Sequence, residues 1–221
     1  MDGLYLSEKL LRIIRNKKQQ TTDYVMQGTV EESTDYAKMM GRFRALEEIE
    51  AEIQDITEVE ITESMLNEAQ IKADQMGTLN NSITSGAGNI VGFLGEIIAF
   101  SILGGEQSNT FNHDIITLDG KKVDVKCKKQ SPDYPPLDYY ACSVAAYNTK
   151  QNCDYYAFTR VHKDYKKGWF LGVYPKNKYF TDAVFLKKGS IDPSSSNNYT
   201  VKADCYNLPI NKLHSAIDQG E

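Results

Sequence analysis

The stretch that decides the fold is HDIITLDGKKVDVKCK, residues 113–128. Two runs rich in β-forming residues flank a short polar link that contains Asp119-Gly120, which is typical of a β-hairpin. In the second run Asp124 and Lys126 are two residues apart, so both side chains point to one face of the strand. The intervening apolar residues, Val123, Val125 and Cys127, point to the other face. We therefore predict a strand with one packing face and one charged face.

The length of the link decides whether Asp114, on the first strand, meets Asp124 on the second. A two-residue turn at Asp119-Gly120 pairs Ile115 with Asp124 and sends Asp114 to the opposite face. A three-residue loop, Leu118-Asp119-Gly120, with its glycine in the left-handed conformation, places Asp114 across from Asp124. We predict the three-residue loop.

A third carboxylate, Glu96, lies in the apolar run 89–103, which ends at Gly104-Gly105 and predicts a buried helix with a glycine stop. Its neighbours at helical spacing are Gly92, Phe93, Ala99 and Phe100. A carboxylate in such surroundings costs several kcal/mol unless a cation, a metal or several donors compensate it. We therefore expect either an ion pair with a lysine or arginine, or a metal ion, opposite Glu96.

With this register, Glu96, Asp114 and Asp124 converge on the Lys126 ammonium at the end of a sheet. Carboxylate oxygens and waters suit Mg²⁺ or Mn²⁺, and Mg²⁺ commonly retains waters while one or two carboxylates bind it. Such an ion lowers the pKa of a bound water and offsets charge on a phosphate under attack. Lys126 is placed to orient or deprotonate that water, or to stabilise the phosphorus. The constellation predicts metal-dependent phosphodiester hydrolysis.

These residues resemble the PD-(D/E)xK nuclease superfamily, which includes many restriction enzymes, junction resolvases and phage recombination nucleases. The resemblance covers roughly residues 88–162 and rests on three motifs, Gly92-Phe93-Leu94-Gly95-Glu96, His113-Asp114 and Asp124-Val125-Lys126. It implies that Asp114 and Asp124 hold the metal, that Glu96 adds a ligand directly or through water, and that Lys126 is catalytic. His113 replaces the proline of the nominal motif.

By the same resemblance the fold is α/β or α+β, a restriction-endonuclease-like mixed β-sheet core flanked by helices. The implied activity is that of a Mg²⁺-dependent deoxyribonuclease, with Mn²⁺ as the other suitable ion and DNA as the substrate. The chain is also similar to small nucleases of tailed phages, which implies DNA processing or recombination in a host cytoplasm. The alternative is a DNA-binding or virion structural module that keeps the fold without catalysis.

Charge along the chain bears on the nucleic-acid partner. The formal net charge is −5, which by itself argues against such a partner. Residues 121–188, however, hold 14 basic and 6 acidic side chains, enough to neutralise phosphates; a solvated lysine-rich face would give the same count. Candidate nucleic-acid contacts, each equally open to an ordinary surface role, are Lys122, Lys128, Lys129, Asn148, Lys150 and Gln151.

Apolar residues at helical spacing predict two helices ahead of this region. The first runs from Leu4 to about Gln19, a polar stretch with Gly28 follows, and the second is capped by Ser33 or Thr34 and carries apolar residues as far as Ile56. We interpret residues 1–58 as a helical hairpin for docking, homodimerisation or a larger assembly, and residues 59–221 as the nuclease domain. The acidic segment 57–60 shows no strong pattern.

Further elements follow from periodicity and β-propensity. Strands are predicted at 112–117, 121–128, 139–145, 155–162, 169–174, 184–187 and 199–205. Helices are predicted at 62–76 and 177–183, and loops at 78–88, 131–136 and 194–198. A helix followed by a mostly sequential sheet indicates the α/β or α+β class.

Several classes of protein and site are disfavoured. No run of about 18 apolar residues exists and no secretion signal opens the chain, so we expect no membrane partner and a cytoplasmic protein. The four cysteines, Cys127, Cys142, Cys153 and Cys205, lack zinc-site spacing and are read as reduced thiols that pack as small hydrophobes. No serine-hydrolase or nucleotide-binding loop motif occurs.

Overall fold

The computed structural model describes residues 13–14, 17–25, 33–53, 56–76, 89–108, 110–193, 199–215 and 217. The chain divides into two compact units, Met1–Asp55 and Ile56–Glu221.

The first unit contains two helices that contact each other. Residues 17–25 are helical (α1), and Ser33–Ile53 form α2. The Lys18 ammonium lies 5.3 Å from the centre of the Phe43 ring, which links the two helices. The second predicted helix is confirmed, although it ends before Ile56.

The predicted end of the first helix at Gln19 was wrong, because the helix continues through the two threonines that follow. The Thr21 hydroxyl donates to the Lys17 carbonyl at 2.9 Å and the Thr22 hydroxyl to the Lys18 carbonyl at 3.1 Å. These bonds satisfy the hydroxyls inside a helix instead of ending it. The predicted start at Leu4 and the stretch around Gly28 lie outside the described residues.

The second unit is built on a six-stranded mixed sheet. Its strand order is β1-β7-β6-β4-β3-β2, in which β4 and β6 are parallel and the other neighbours are antiparallel. The strands are β1 Thr57–Glu60, β2 Glu106–Gln107, β3 Ile115–Ile116, β4 Lys122–Gln130, β6 Tyr155–His162 and β7 Lys167–Pro175.

A smaller antiparallel sheet has the order β5-β9-β8. Its strands are β5 Ala141–Ala145, β8 Val184–Leu186 and β9 Cys205–Pro209. The helices of this unit are α3 Glu63–Met76, α4 Asn89–Leu103 and α5 Lys176–Asp182, with 3₁₀ turns η1 Ala146–Lys150 and η2 Ile210–Lys212.

The large sheet separates two apolar layers, because successive side chains of a strand point to opposite faces. On one face Val123 and Val125 of β4 pack with Leu94 of α4. On the other face Phe158 of β6 packs with Tyr179 of α5 and with residues of the small sheet. Each large apolar side chain buried here contributes about 1.5–3 kcal/mol. The result is three layers, and the predicted mixed α+β class is confirmed.

The start of α3 and the end of α4 each have a physical cause. The Thr62 hydroxyl oxygen accepts the Met65 backbone N–H at 3.3 Å and caps the start of α3,. Gly104 adopts φ +66° and donates its N–H to the Phe100 carbonyl at 2.9 Å, which ends α4,. The predicted helix at 89–103 with its glycine stop is confirmed.

The β3–β4 hairpin has the predicted register. Ile115 pairs with Val123, and the Thr117 N–H donates to the Lys121 carbonyl at 2.9 Å. Residues 118–120 therefore form a three-residue loop, in which Gly120 adopts φ +81°. The two-residue alternative, which would pair Ile115 with Asp124, is excluded.

Three strand predictions need correction. The acidic segment Thr57–Glu60 is a strand, because it forms backbone hydrogen bonds with β7. Its own sequence does not predict this pairing. The strand at 112–117 shrinks to Ile115–Ile116, because the Thr110 hydroxyl accepts the backbone N–H groups of residues 112 and 113 and holds them in a turn. The strand at 199–205 was wrong; the pairing partner of β5 is Cys205–Pro209.

The other predicted strands and the short helix are confirmed, with small differences at their ends. The predicted loop 131–136 contains no strand, whereas those at 78–88 and 194–198 lie outside the described residues. All four cysteines are free thiols, as predicted, and Cys142 and Cys153 are buried. Within the described ranges, none of the helices has the length and apolarity needed to cross a membrane.

Two glycines of α4 provide a matched test of its packing against the large sheet. A Cβ at Gly95 would lie 2.5 Å from both the Cys127 Cβ and the Thr159 Oγ1, whereas a Cβ at Gly92 meets nothing within 4 Å. We expect Gly95→Ala to lower the free energy of unfolding by about 1–3 kcal/mol. Gly92→Ala should raise it by up to about 1 kcal/mol, because alanine favours the helix.

Urea unfolding of both variants measures the difference. Equal effects of the two substitutions would show that α4 does not lie against β4 and β6 at Gly95 as described.

Candidate active site

Asp124 and Lys126 form an ion pair on the face of β4 that looks toward the small sheet. The Asp124 side chain is almost wholly buried, with 3% exposure, and its Oδ2 contacts the Lys126 ammonium. Burial raises the pKa of Asp124 in spite of Lys126. The Lys126 ammonium also lies 5.9 Å from the centre of the Tyr156 ring. The predicted placement of these two side chains on one strand face is thus confirmed, and the ion pair between them is an addition from the structure.

Asp114 lies immediately before β3 and is held against β4 by its backbone and its side chain. Its N–H donates to the Val123 carbonyl at 2.9 Å, and its Oδ2 accepts the Val125 N–H at 2.7 Å. Burial and the neighbouring Asp124 raise the pKa of Asp114 to about 7. The hairpin register therefore brings the two aspartates together, as predicted.

Glu96 approaches the aspartates from α4. Its Oε2 is buried and has no hydrogen-bond partner among the described residues. Burial, then Asp114 and Asp124, raise the pKa of Glu96 to about 8, with partial compensation from Lys72 and Lys126. The expected ion pair between Glu96 and a lysine or arginine is not found among the described residues. Two further carboxylates lie near Glu96 instead, and the charges of Lys72 and Lys126 offset its burial only in part.

Gln151 fixes the geometry of Asp124. Its Nε2 donates to Asp124 Oδ1 at 2.7 Å and to the Phe111 carbonyl at 2.8 Å. The Gln151 side chain is buried, with 5% exposure. Of the predicted nucleic-acid contacts, this residue is the one placed directly on a site carboxylate.

The sequence analysis did not predict two lysines that affect the site. Lys176 donates from its ammonium to the Gln151 carbonyl and lowers the pKa of Asp124. Lys72 of α3 lowers the pKa of Glu96, while its ammonium contacts Glu68 and Gln107, each at 2.8 Å. Lys176 follows Pro175, which ends a strand, but only the sheet order shows that this end meets the start of β4. No local signal marks Lys72.

The conformation of the carboxylates bears on the predicted metal. Among the residues that the structure describes, no group of three or more His, Cys, Asp or Glu side chains is arranged so that it could hold an ion. The Asp114 carboxylate is engaged by the Val125 N–H, and that of Asp124 by Gln151 and Lys126. Buried carboxylates with raised pKa values, one of them with an unpartnered oxygen, are still a donor set that suits a hard cation bound partly through water.

Four of the remaining predicted nucleic-acid contacts lie at the ends of β4 and in η1. Lys122 begins β4, and its backbone N–H donates to Asp154 Oδ2 at 2.8 Å. Lys129 is exposed near the other end, where its ammonium donates to the Tyr165 hydroxyl at 3.1 Å. Asn148 is buried in η1 and accepts the Tyr156 hydroxyl on its backbone carbonyl at 3.2 Å, while Lys150 is exposed.

The Lys128 side chain is hydrogen-bonded to the small sheet. Its ammonium donates to the Ala141 carbonyl at 3.0 Å and to the Ser143 hydroxyl at 2.6 Å. The same carbonyl accepts the Arg160 guanidinium at 3.2 Å. Burial and the neighbouring Arg160 lower the pKa of Lys128 to about 8. This lysine shares the face of Lys126, as predicted, but it holds two sheets together.

The raised pKa of Glu96 predicts a pH-dependent stability of the metal-free protein. The folded state binds this proton more tightly than the unfolded chain, so its contribution is full below pH 4.5 and is lost as the pH rises through about 8,. Glu96→Gln stays neutral. We expect it to match the wild type near pH 5 and to exceed its free energy of unfolding by on the order of 3 kcal/mol near pH 9.

Urea unfolding in EDTA at the two pH values measures this difference. Glu106→Gln, which removes an exposed carboxylate from β2, is the matched control. A Glu96→Gln effect no larger than that of the control near pH 9 would contradict the buried position of Glu96.

Comparison with known proteins finds no relative, so the interpretation of the site rests on its residues. No family model matches the chain, and no curated protein matches it. Membership of the PD-(D/E)xK superfamily therefore stays a prediction, carried by Glu96, Asp114, Asp124 and Lys126 and by their placement.

Proposed function

We propose that this chain is a metal-dependent nuclease that hydrolyses phosphodiester bonds of DNA. The observation that carries the proposal is the burial of three carboxylates from three elements around one ammonium. Glu96, Asp114 and Asp124 each have a raised pKa because of burial, and each lies close enough to Lys126 for its charge to lower that pKa in part.

Such an arrangement lowers the stability of the fold, so its presence points to a function that outweighs this cost. Several kcal/mol are lost when like charges are buried without full pairing. A hard divalent cation would offset that cost, because Mg²⁺ and Mn²⁺ take carboxylate oxygens and waters as ligands. Asp114, Asp124 and Glu96 are the residues that would hold it.

When bound, Mg²⁺ supplies a water of lowered pKa and a positive charge for the phosphate oxygens. The protein supplies the positioning. Gln151 fixes Asp124 through the 2.7 Å bond to Oδ1, and the Val125 N–H fixes Asp114. Lys126 would orient the attacking water through its ammonium or stabilise charge on the phosphorus; only as the neutral amine would it accept a proton from that water.

DNA as the substrate follows from the resemblance and is supported by charge. The basic excess of residues 121–188 includes exposed lysines, among them Lys129 near the end of β4, Lys150 in η1 and Lys178 in α5. Such lysines suit phosphate contacts on either side of a scissile bond.

The direct test is cleavage of plasmid, linear duplex, single-stranded and branched DNA in Mg²⁺, Mn²⁺ or EDTA. We expect cleavage that depends on the metal. Lys126→Ala and Asp124→Asn should lower its rate by at least about 100-fold. The first removes the ammonium that acts on the water or the phosphate, and the second removes a carboxylate that would hold the metal.

Lys163→Ala removes an exposed lysine from the β6–β7 turn and is the control for loss of one positive charge. Binding of DNA without cleavage in any metal would overturn the proposal in favour of a non-catalytic DNA-binding module. Cleavage that survives Lys126→Ala would overturn the role given to that residue.

A further inference from the structure

A basic cavity opens beside the candidate active site. Its volume is about 630 Å³, within the range of about 300–1,000 Å³ found for ligand pockets. Three lysines line it, Lys121, Lys176 and Lys178, together with the amide of Asn177. Of the lining residues, Asp154 carries the one carboxylate. The cavity therefore has an excess of positive charge and suits an anion.

The lysines of this cavity are available to a ligand. Neither the Lys121 nor the Lys178 ammonium has an ion-pair or hydrogen-bond partner among the described residues. Lys178 is exposed and Lys121 half-buried. Among the described residues Asp154 forms no ion pair with either lysine, and its Oδ2 accepts the Lys122 backbone N–H at 2.8 Å.

The cavity is joined to the catalytic carboxylates through Gln151. The Gln151 side chain donates to Asp124, and its backbone carbonyl accepts the Lys176 ammonium. Lys176 in turn donates its N–H to the Asp154 carbonyl at 2.9 Å, which pins the wall of the cavity to the start of β6. One residue thus separates the cavity from Asp124.

The sheet order explains the proximity. Strands β4 and β6 are parallel and β7 is antiparallel to β6, so the start of β4, the start of β6 and the end of β7 meet at one end of the sheet. Lys121 precedes β4, and Asp124 lies three residues further along, about 10 Å at the rise of a strand. Lys176 and Lys178 follow the end of β7.

We propose that this cavity binds a backbone phosphate of the nucleic-acid strand next to the one that is cleaved. The proposal rests on the proposed nuclease function and adds a substrate subsite to it. Three carboxylates repel a polyanion, and Lys126 is paired with Asp124, so the adjoining phosphate needs cations of its own. Lys121 and Lys178 supply them, and Lys176 supports the wall between this subsite and Asp124.

The test measures binding of a short, fluorescently labelled single strand to the full chain in EDTA. A DNA strand and an RNA strand of the same sequence are used, and fluorescence anisotropy reports their affinity over a range of salt concentrations. The key variant is Lys121→Ala with Lys178→Ala. We expect about tenfold weaker binding at low salt and a slope of log affinity against log salt that is smaller by about 1.

The matched control is Lys163→Ala with Lys166→Ala, which removes the same charge at the opposite end of β6, about 25 Å away by the rise of a strand. Both control lysines are exposed. We expect a change of less than about twofold for the control. The single variant Lys178→Ala, at an exposed position, serves if the double variant does not fold.

The results separate this inference from the proposed function. Equal effects of the two double variants, or no binding of either nucleic acid, would overturn the subsite. Selective weakening by the cavity variant supports it, even where no metal gives cleavage and the nuclease proposal fails. Metal-dependent cleavage with unselective binding would leave the nuclease standing and remove the subsite.

Discussion

The central constraint on this structure is the burial of three carboxyl groups at one end of its large sheet. Glu96 of α4, Asp114 before β3 and Asp124 of β4 come together where Lys126 is the one cation in direct contact with a site carboxylate among the described residues. An arrangement that serves stability alone would pair such groups or replace them with apolar side chains. The elements around it are instead positioned to maintain it: the three-residue hairpin loop sets Asp114, and the close packing at Gly95 sets Glu96.

The small sheet and α5 give this end of the molecule its chemical character. They cover the charged face of β4, so that the half-buried Lys128 links the two sheets while Lys126 remains beside the carboxylates. The link from Gln151 to Lys176 then joins the carboxylates to the basic cavity at the end of β7. The same end of the sheet thus carries an acidic cluster and a basic surface next to each other, where we propose that phosphodiester bonds are hydrolysed.

Local sequence was sufficient to predict the parts of the site that depend on strand periodicity, turn type and helix surroundings. Parity along β4 put Asp124 and Lys126 on one face, Asp119-Gly120 pointed to the loop that sets the register, and apolar neighbours marked Glu96. Long-range pairing was beyond it. The partner of β5 lies 60 to 68 residues further along the chain at Cys205–Pro209, and the acidic segment Thr57–Glu60 forms a strand only because it pairs with β7. Lys72 and Lys176 come close to the site through such tertiary contacts, which cannot be predicted from a local sequence pattern.

The most direct test of the account is calorimetric titration of Mn²⁺ into the metal-free protein, with Asp124→Asn beside the wild type. Saturable binding of Mn²⁺ that releases protons near pH 7 and that Asp124→Asn abolishes is the result predicted, because the cation must displace protons held on carboxylates of raised pKa,. Absence of saturable binding, or binding that Asp124→Asn leaves unchanged, would contradict it.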